Sequence, residues 1–404
     1  MRCDRHSKWL ICVLLFLAVT LLYMDRQALS ILAPQLTRDH GWSETDYGNM
    51  VAVYQFAYAV GVLAVGWLID RLGTGFGFGL FVLLWSLVTA AHGWAATVFS
   101  FLIVRLALGL TQAGCFPCAI KATAEWFPKE ERAFATGLFN TGSMVGPILA
   151  PLLILFLYAR TGWLMTCVAL GAAGFVWSAV WLAFCRTPAR LPAQSEVPDG
   201  PPLPLAAILC RRATWAFFFG KLLSDPVWWF FLYWLPKFLH DKHGVALTQL
   251  GAPLVTIYSI TILGSVGAGW LTQHLTARGV TVRTARQRVM LLCALLPLPV
   301  LVAAGTPHVW LAVVLIGLAT AGHSGWMANL FSLVSDSFPK NTVASVTGIG
   351  TMAGALGGIF AARFAGWILD RTGSYWPLFV MSACAYVVAW LVVQLLLPRK
   401  GIPA

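Results

Sequence analysis

Three charged side chains interrupt stretches that are otherwise apolar. Asp25 and Arg26 fall in the run from Trp9 to Pro34, within Tyr23-Met24-Asp25-Arg26, and Arg105 falls in the run from Phe99 to Ala124. Gln112 follows Arg105 by seven residues, two helical turns, and so shares its face. A charge near the centre of a bilayer costs about 2.5–3.5 kcal/mol even on lenient insertion scales, and is retained where it faces a partner or a water-filled cavity. A guanidinium offers a planar fork of donors that fits a carboxylate at two points. These residues therefore point to a path for an anion through a membrane. A structural ion pair of Asp25 with Arg26 or Arg105 is the other reading, and both hold if the pair exchanges partners.

The elements that must position these groups are transmembrane helices. The chain has 404 residues, 59% of them hydrophobic and 10% charged, with 19 tryptophans; its mean hydropathy is +0.77. That composition excludes an ordinary soluble domain. A span needs roughly 20 apolar residues to cross about 30 Å of hydrocarbon. Twelve stretches qualify, at 9–34, 47–69, 77–96, 99–124, 134–158 and 163–184, then 213–239, 249–272, 287–305, 308–331, 342–366 and 375–397. The expected fold class is an all-α membrane protein with twelve spans in two bundles of six. The net charge of +12 follows topology, not nucleic-acid binding: with both termini inside, eighteen Lys and Arg fall on the cytoplasmic side and five outside. The basic residues before the first apolar run resemble a signal peptide, but no small-residue cleavage site follows, so that run is expected to remain as the first helix. All nine cysteines lie in spans or on the cytoplasmic side, where disulfides are not expected. Cys115-Phe116-Pro117-Cys118 has redox spacing without a cationic setting or a second ligand pair, which favours packing around a helix-bending proline.

The chain repeats itself. Glu125-Trp126-Phe127-Pro128-Lys129 recurs as Asp336-Ser337-Phe338-Pro339-Lys340, Ala135-Thr136-Gly137 as Val346-Thr347-Gly348, and Arg160-Thr161-Gly162 as Arg371-Thr372-Gly373, all at an offset of 211. Gly66-Trp67-Leu68 recurs as Gly269-Trp270-Leu271 at 203. An even number of spans per repeat makes the halves parallel, with a substrate site expected near the midplane between them. Residues 1–186 form the first expected bundle and 213–404 the second, joined by a Pro-rich cytoplasmic linker at 187–212. Gly142 and Gly146, and Gly350, Gly354 and Gly358, recur at four-residue spacing, which suits close helix packing.

Gly66-Trp67-Leu68-Ile69-Asp70-Arg71-Leu72-Gly73 resembles the signature loop of the major facilitator superfamily, in which Asp70 and Arg71 would latch one conformation. A narrower resemblance spans nearly the whole chain. Tyr23-Met24-Asp25-Arg26, Gly41-Trp42-Ser43 and Glu125 to Arg132 resemble the anion:cation symporter family. Asp225-Pro226-Val227-Trp228-Trp229-Phe230 and Asn329-Leu330-Phe331-Ser332 resemble its hexuronate-transporter branch, to which the galactonate transporters are related. The resemblance implies import of a sugar acid with protons. It makes Arg26 and Arg105 the carboxylate-holding pair, Tyr23 and Tyr58 pocket tyrosines, Asn140 and Ser143 the polar face of the fifth span, and Asp25 the proton-linked acid. Gln55, Gln112, Trp229 and Asn329 complete the candidate substrate-binding set.

The departures from that pattern matter. Where the family has a coupling glutamate on the fourth span, this chain has Gln112, and an amide does not titrate. Cys115 and Met144 replace asparagines of the hexuronate branch. Coupling then rests on Asp25 or is absent, and the ligand can carry fewer hydroxyls than a hexuronate; an uncoupled facilitator or exchanger of an aromatic carboxylate is the alternative. Lys221 and Asp225, four apart in the seventh span, are read as a structural ion pair, with direct substrate contact as the other choice. Trp228, Trp229, Tyr233 and Trp234 wall an outer cavity or form an interfacial belt. His323 is a packing histidine or a proton carrier. An anion channel fits the repeat poorly, and no HExxH, GxSxG or GxxxxGK[ST] motif suggests an enzyme or an ATP-driven pump. The expected partners are a small organic anion, protons and the lipid of the inner membrane. No nucleic acid, cofactor or metal is expected, and the chain is expected to be a monomer.

Overall fold

The computed structural model describes residues 5–185 and 204–397. Among them no strand occurs, and fifteen α-helices follow one another. These are α1 (Arg5–His40), α2 (Glu44–Leu72), α3 (Thr74–Ala91), α4 (Val98–Gln112), α5 (Cys115–Trp126), α6 (Lys129–Asn140), α7 (Gly142–Phe184), α8 (Leu205–Cys210), α9 (Arg212–His243), α10 (Gly251–Ala277), α11 (Val282–Leu295), α12 (Val300–Ala303), α13 (Val309–Ser337), α14 (Lys340–Thr372) and α15 (Trp376–Leu396). Residues 187–203, most of the expected linker, lie outside the described residues.

Among the described residues nine helices are long and apolar enough to cross a membrane. One of these, Phe134–Phe184, runs for 51 residues, enough for two spans, and turns at Gly162, whose φ of 73° and ψ of −177° lie outside the helical region. Two further helices, α2 and α9, are 29 and 32 residues long, and α9 carries Lys221, Asp225 and Lys237. Together these make the twelve spans. Gly162 and its repeat partner Gly373, which ends α14 at φ 60°, show what the recurring Arg-Thr-Gly does: its glycine takes a positive φ that side chains rarely adopt, and the helix stops or turns there. Several helices outrun the apolar stretches. Hydropathy marks where the membrane ends, and backbone hydrogen bonding continues past it. Ser43 and Asp46 close a capping box at the start of α2, and Thr97 and Ser100 do so for α4.

The chain divides into two compact units, 5–185 with 246–251 and 204–245 with 252–397, each carrying six of the spans. In the first, α1 and α3 pack on α7, and α2 packs on α4. Trp177 and Trp181 stack at 5.2 Å and donate their indole N–H groups to Leu14 O and Gly75 O, both at 2.8 Å, tying α7 to α1 and α3. In the second, α9 packs on α14 and α15, and α11 on α13.

Candidate functional site

Arg105, Leu108, Gly109 and Gln112 all lie on the buried face of α4, as their spacing requires. Gly109 makes the site possible. A Cβ built there would collide with Tyr54 O and stand 2.8 Å from Ala57 Cβ and 2.9 Å from the Tyr58 amide. The backbone of α2 therefore lies directly against α4, and Tyr54 and Tyr58 are delivered beside Arg105 and Gln112. Gly142 and Gly146 bring α7 equally close to α1: a Cβ at 146 would meet Thr20 O at 2.7 Å and Tyr23 Cβ at 2.8 Å. A methyl group at either contact forces helices apart, and overpacking of this kind costs about 1–3 kcal/mol. Gly109→Ala is therefore expected to lower the thermal midpoint of the detergent-purified protein and to weaken ligand binding together; an unchanged midpoint would mean that α2 is free to move away.

Arg26 is 2% exposed and Arg105 1%. The Arg26 guanidinium lies over the rings of Tyr58, Tyr23 and Tyr54 at 4.6, 5.1 and 5.5 Å, and that of Arg105 lies 6.0 Å from Tyr54. Each such contact is worth about 0.5–2 kcal/mol, depending on desolvation. Ring faces hold the flat of a guanidinium, whereas a carboxylate engages its edge, so the two modes do not compete. Tyr54 OH donates to Gln112 Oε1 at 2.7 Å, and Gln112 Nε2 is buried with no protein hydrogen-bond partner. Both amide atoms of Gln55, on α2, are likewise buried and without partners. Asp25 Oδ2 accepts from Thr89 Oγ1 at 3.3 Å, while Oδ1 is buried without a partner. Asp25 lies in the field of Arg105 on α4. Cys115 lies in the field of Arg26.

Two members of this cluster escape a reading of the sequence alone. Tyr54 joins both arginines to Gln112; its position one turn before Tyr58 was the available signal. Thr89 holds Asp25 from α3, and only packing reveals it. Asn140 is exposed, and Ser143 Oγ donates to Asn140 O at 2.7 Å. The Cys115-to-Cys118 segment opens α5, yet Ala113 and Gly114 keep helical dihedrals, so α4 and α5 form one bent helix without a bare N-terminus. Among the described residues no group of three His, Cys, Asp or Glu side chains could hold a metal ion.

In the second unit Lys221 Nζ lies 2.7 Å from Asp225 Oδ2. Asn329 is engaged within its own unit: Oδ1 accepts from Thr272 Oγ1 at 3.1 Å, and Nδ2 donates to Gly325 O at 3.0 Å. Trp229 stacks on Tyr233 at 6.0 Å, and its buried indole N–H has no protein partner. Tyr233 and Trp234 are fully buried and Trp228 stacks on His323, which takes these residues out of an interfacial belt. The side chain of Asp70 lies outside the described residues; Arg71 is exposed in the last turn of α2. The turn they precede is fastened by Thr74 Oγ1, which donates to Glu125 Oε1 at 2.7 Å. Arg286 pairs at 3.1 Å with Asp336, the repeat partner of Glu125.

The profile of the Major Facilitator Superfamily matches residues 15–362. The hexuronate transporter of Escherichia coli strain K12 is 28% identical over 99% of this chain and 96% of its own length. A D-galactonate transporter of E. coli is 25% identical over 95% of this chain and 94% of its own, and a probable galactarate/D-glucarate transporter of strain K12 is 26% identical over 95% and 93%. Among solved structures, a bacterial homolog of the human lysosomal transporter Spinster, inward-facing and occupied, matches with a TM-score of 0.77 at 17% identity over 97% of this chain and 96% of that one, a likeness of fold. With its twelve spans and its matched profile, the chain belongs to the Major Facilitator Superfamily and is a multi-pass membrane transport protein.

Proposed function

We propose that this transporter imports a small organic anion, a sugar acid such as a hexuronate or aldonate, across the inner membrane with protons. The observation that carries the reading is the pair of buried guanidinium groups, Arg26 on α1 and Arg105 on α4, gathered with three tyrosine rings and Gln112 inside one helical bundle. The pair holds the substrate carboxylate through charge-assisted, two-point hydrogen bonds. Tyr23, Tyr58, Gln55 and Asn140 hold the rest of the molecule, and Asp25 carries the proton. The names of the similar transporters support the substrate class. The cycle is alternating access, with Asp70 and Arg71 latching one state and the bond from Thr74 to Glu125 stiffening the same turn. The excess of Lys and Arg on one side of the spans supports cytoplasmic termini.

A second reading has its own observation. Arg26 is surrounded by ring faces, Cys115 lies beside it, and Gln112 is held by Tyr54. Such surroundings also suit an aromatic carboxylate moved without protons. Purified protein in liposomes, offered labelled sugar acids and aromatic acids with and without an inward proton gradient, separates the two. Accumulation of a sugar acid only under the gradient is the expected result. Failure to take up any carboxylate overturns the anion reading altogether.

A further inference from the structure

The two halves of the chain treat one turn differently. In the repeat, Gly66-Trp67-Leu68 corresponds to Gly269-Trp270-Leu271, so the connection from α10 to α11 stands where that from α2 to α3 stands in the first half. Residues 66–79 are balanced, with Asp70 against Arg71. Residues 269–290 hold Arg278, Arg283, Arg286 and Arg288 and no acid, and no Asp or Glu occurs anywhere from 242 to 335. The preference for cations on one side of a membrane applies to both turns alike. It does not explain a surplus of four in one and of none in the other.

The local structure concentrates this charge. Gly279, at φ 85°, turns the chain, and Thr281 Oγ1 caps α11 by accepting from Thr284 N at 3.3 Å. Arg283 and Arg286 then fall beside the partial positive charge of the helix N-terminus, and no acid lies in the first turn. Cations there are unfavourable by themselves, and an anion is favoured. Asp336 on α13 meets Arg286 Nη2 at 3.1 Å, but Arg286 Nε and Nη1 are buried with no protein hydrogen-bond partner. Arg278, Arg283 and Arg288 are exposed. Exposed apolar residues continue the same helix faces. On α11, Leu292 and Leu295 follow Arg288 by four and seven residues; on α10, Leu263, Val266 and Trp270 lead to His274, which stacks on Trp270 at 5.0 Å, and then to Arg278. Tryptophan favours the level of lipid headgroups. The arginines thus stand at the ends of two exposed apolar stripes.

We infer that the α10–α11 turn is a docking surface for the headgroups of anionic phospholipids. Charge complementarity selects an anion, and the apolar stripes select a lipid over a free one. Headgroup phosphates accept from Arg278, Arg283 and Arg288, and Arg286 adds the donors that Asp336 leaves unmet. The acyl chains lie along Trp270, Leu292 and Leu295. The inference goes beyond the transport reading and depends neither on the substrate nor on proton coupling.

The full chain in a neutral detergent, given phosphatidylglycerol or phosphatidylcholine, tests it by native mass spectrometry and by the thermal midpoint. The unmodified protein is expected to retain phosphatidylglycerol in preference, and to unfold several degrees higher with it than with phosphatidylcholine. High salt should release the bound lipid, because the attraction is screened. Arg278→Gln, Arg283→Gln and Arg288→Gln together are expected to weaken phosphatidylglycerol binding at least about tenfold, with the midpoint in phosphatidylcholine unchanged. Arg212→Gln removes another exposed cation of the expected cytoplasmic side and should leave that binding intact. Equal retention of the two lipids, insensitivity to the triple substitution, or an equal loss on Arg212→Gln overturns the assignment. So does equal stabilisation by inorganic phosphate, which would make the turn a site for a free anion. Should the triple variant fail to fold, the lipid preference and salt dependence of the unmodified protein decide.

Discussion

Arg105→Ala is expected to abolish carboxylate uptake by proteoliposomes and to remove measurable binding. The side chain is almost wholly buried and occupies the face of α4 that meets α2. Truncating one partner of a buried, hydrogen-bonded charge pair costs about 2–5 kcal/mol, a loss of some thirtyfold to several thousandfold in affinity. Arg105→Lys separates charge from shape. Lysine keeps the cation but loses the planar fork, so two-point binding predicts that it restores little. Full restoration would reduce Arg105 to a source of potential. Truncation also leaves Asp25 without the cation that acts on it, and part of any loss could be instability. Arg105→Ala combined with Asp25→Asn removes both charges. If that protein is stable and still binds carboxylates, Arg105 is structural and the clamp is elsewhere.

The second large effect is a gain. Gln112→Glu should make uptake steeply dependent on pH, rising as the external pH falls, because an acid that must be protonated for the loaded carrier to turn over is filled more often at lower pH. The geometry admits the exchange with little movement. Gln112 is fully buried, Tyr54 OH already donates to Oε1, and the amide nitrogen has no protein partner to lose. A glutamate of the same size keeps the Tyr54 bond and places its second oxygen where the nitrogen was. The measurement is initial uptake across a range of external pH at fixed internal pH, compared with the unmodified protein. Identical profiles would show that position 112 is not the absent coupling site. Coupling would then rest on Asp25 or be absent.

The two predictions share one geometric fact, the closeness of α2 and α4 at Gly109. Tyr54 touches the arginine pair on one side and Gln112 on the other. Disturbing that contact should therefore disturb carboxylate binding and coupling together, whereas Arg105→Lys and Gln112→Glu should affect them separately.

Much of this molecule was legible in its residues. Twelve apolar stretches, the repeated Arg-Thr-Gly and the buried charges are local signals. Each follows from backbone hydrogen bonding, from the one residue tolerant of positive φ, or from the cost of a charge in hydrocarbon. The four-residue glycine spacing marked where α7 meets α1 and where α14 meets α9, although Gly357, against Leu222 O, joins Gly350 and Gly354 there. What the residues alone left open was partnership. Nothing in the order of the chain says that Arg105 acts on Asp25 from another helix, that Tyr54 bridges to Gln112 across 58 positions, or that Gly354 makes room for Lys221 and Asp225. Periodicity assigns each side chain to a face of its helix. Which face meets which is decided by packing many side chains at once, and only the tertiary structure carries that information.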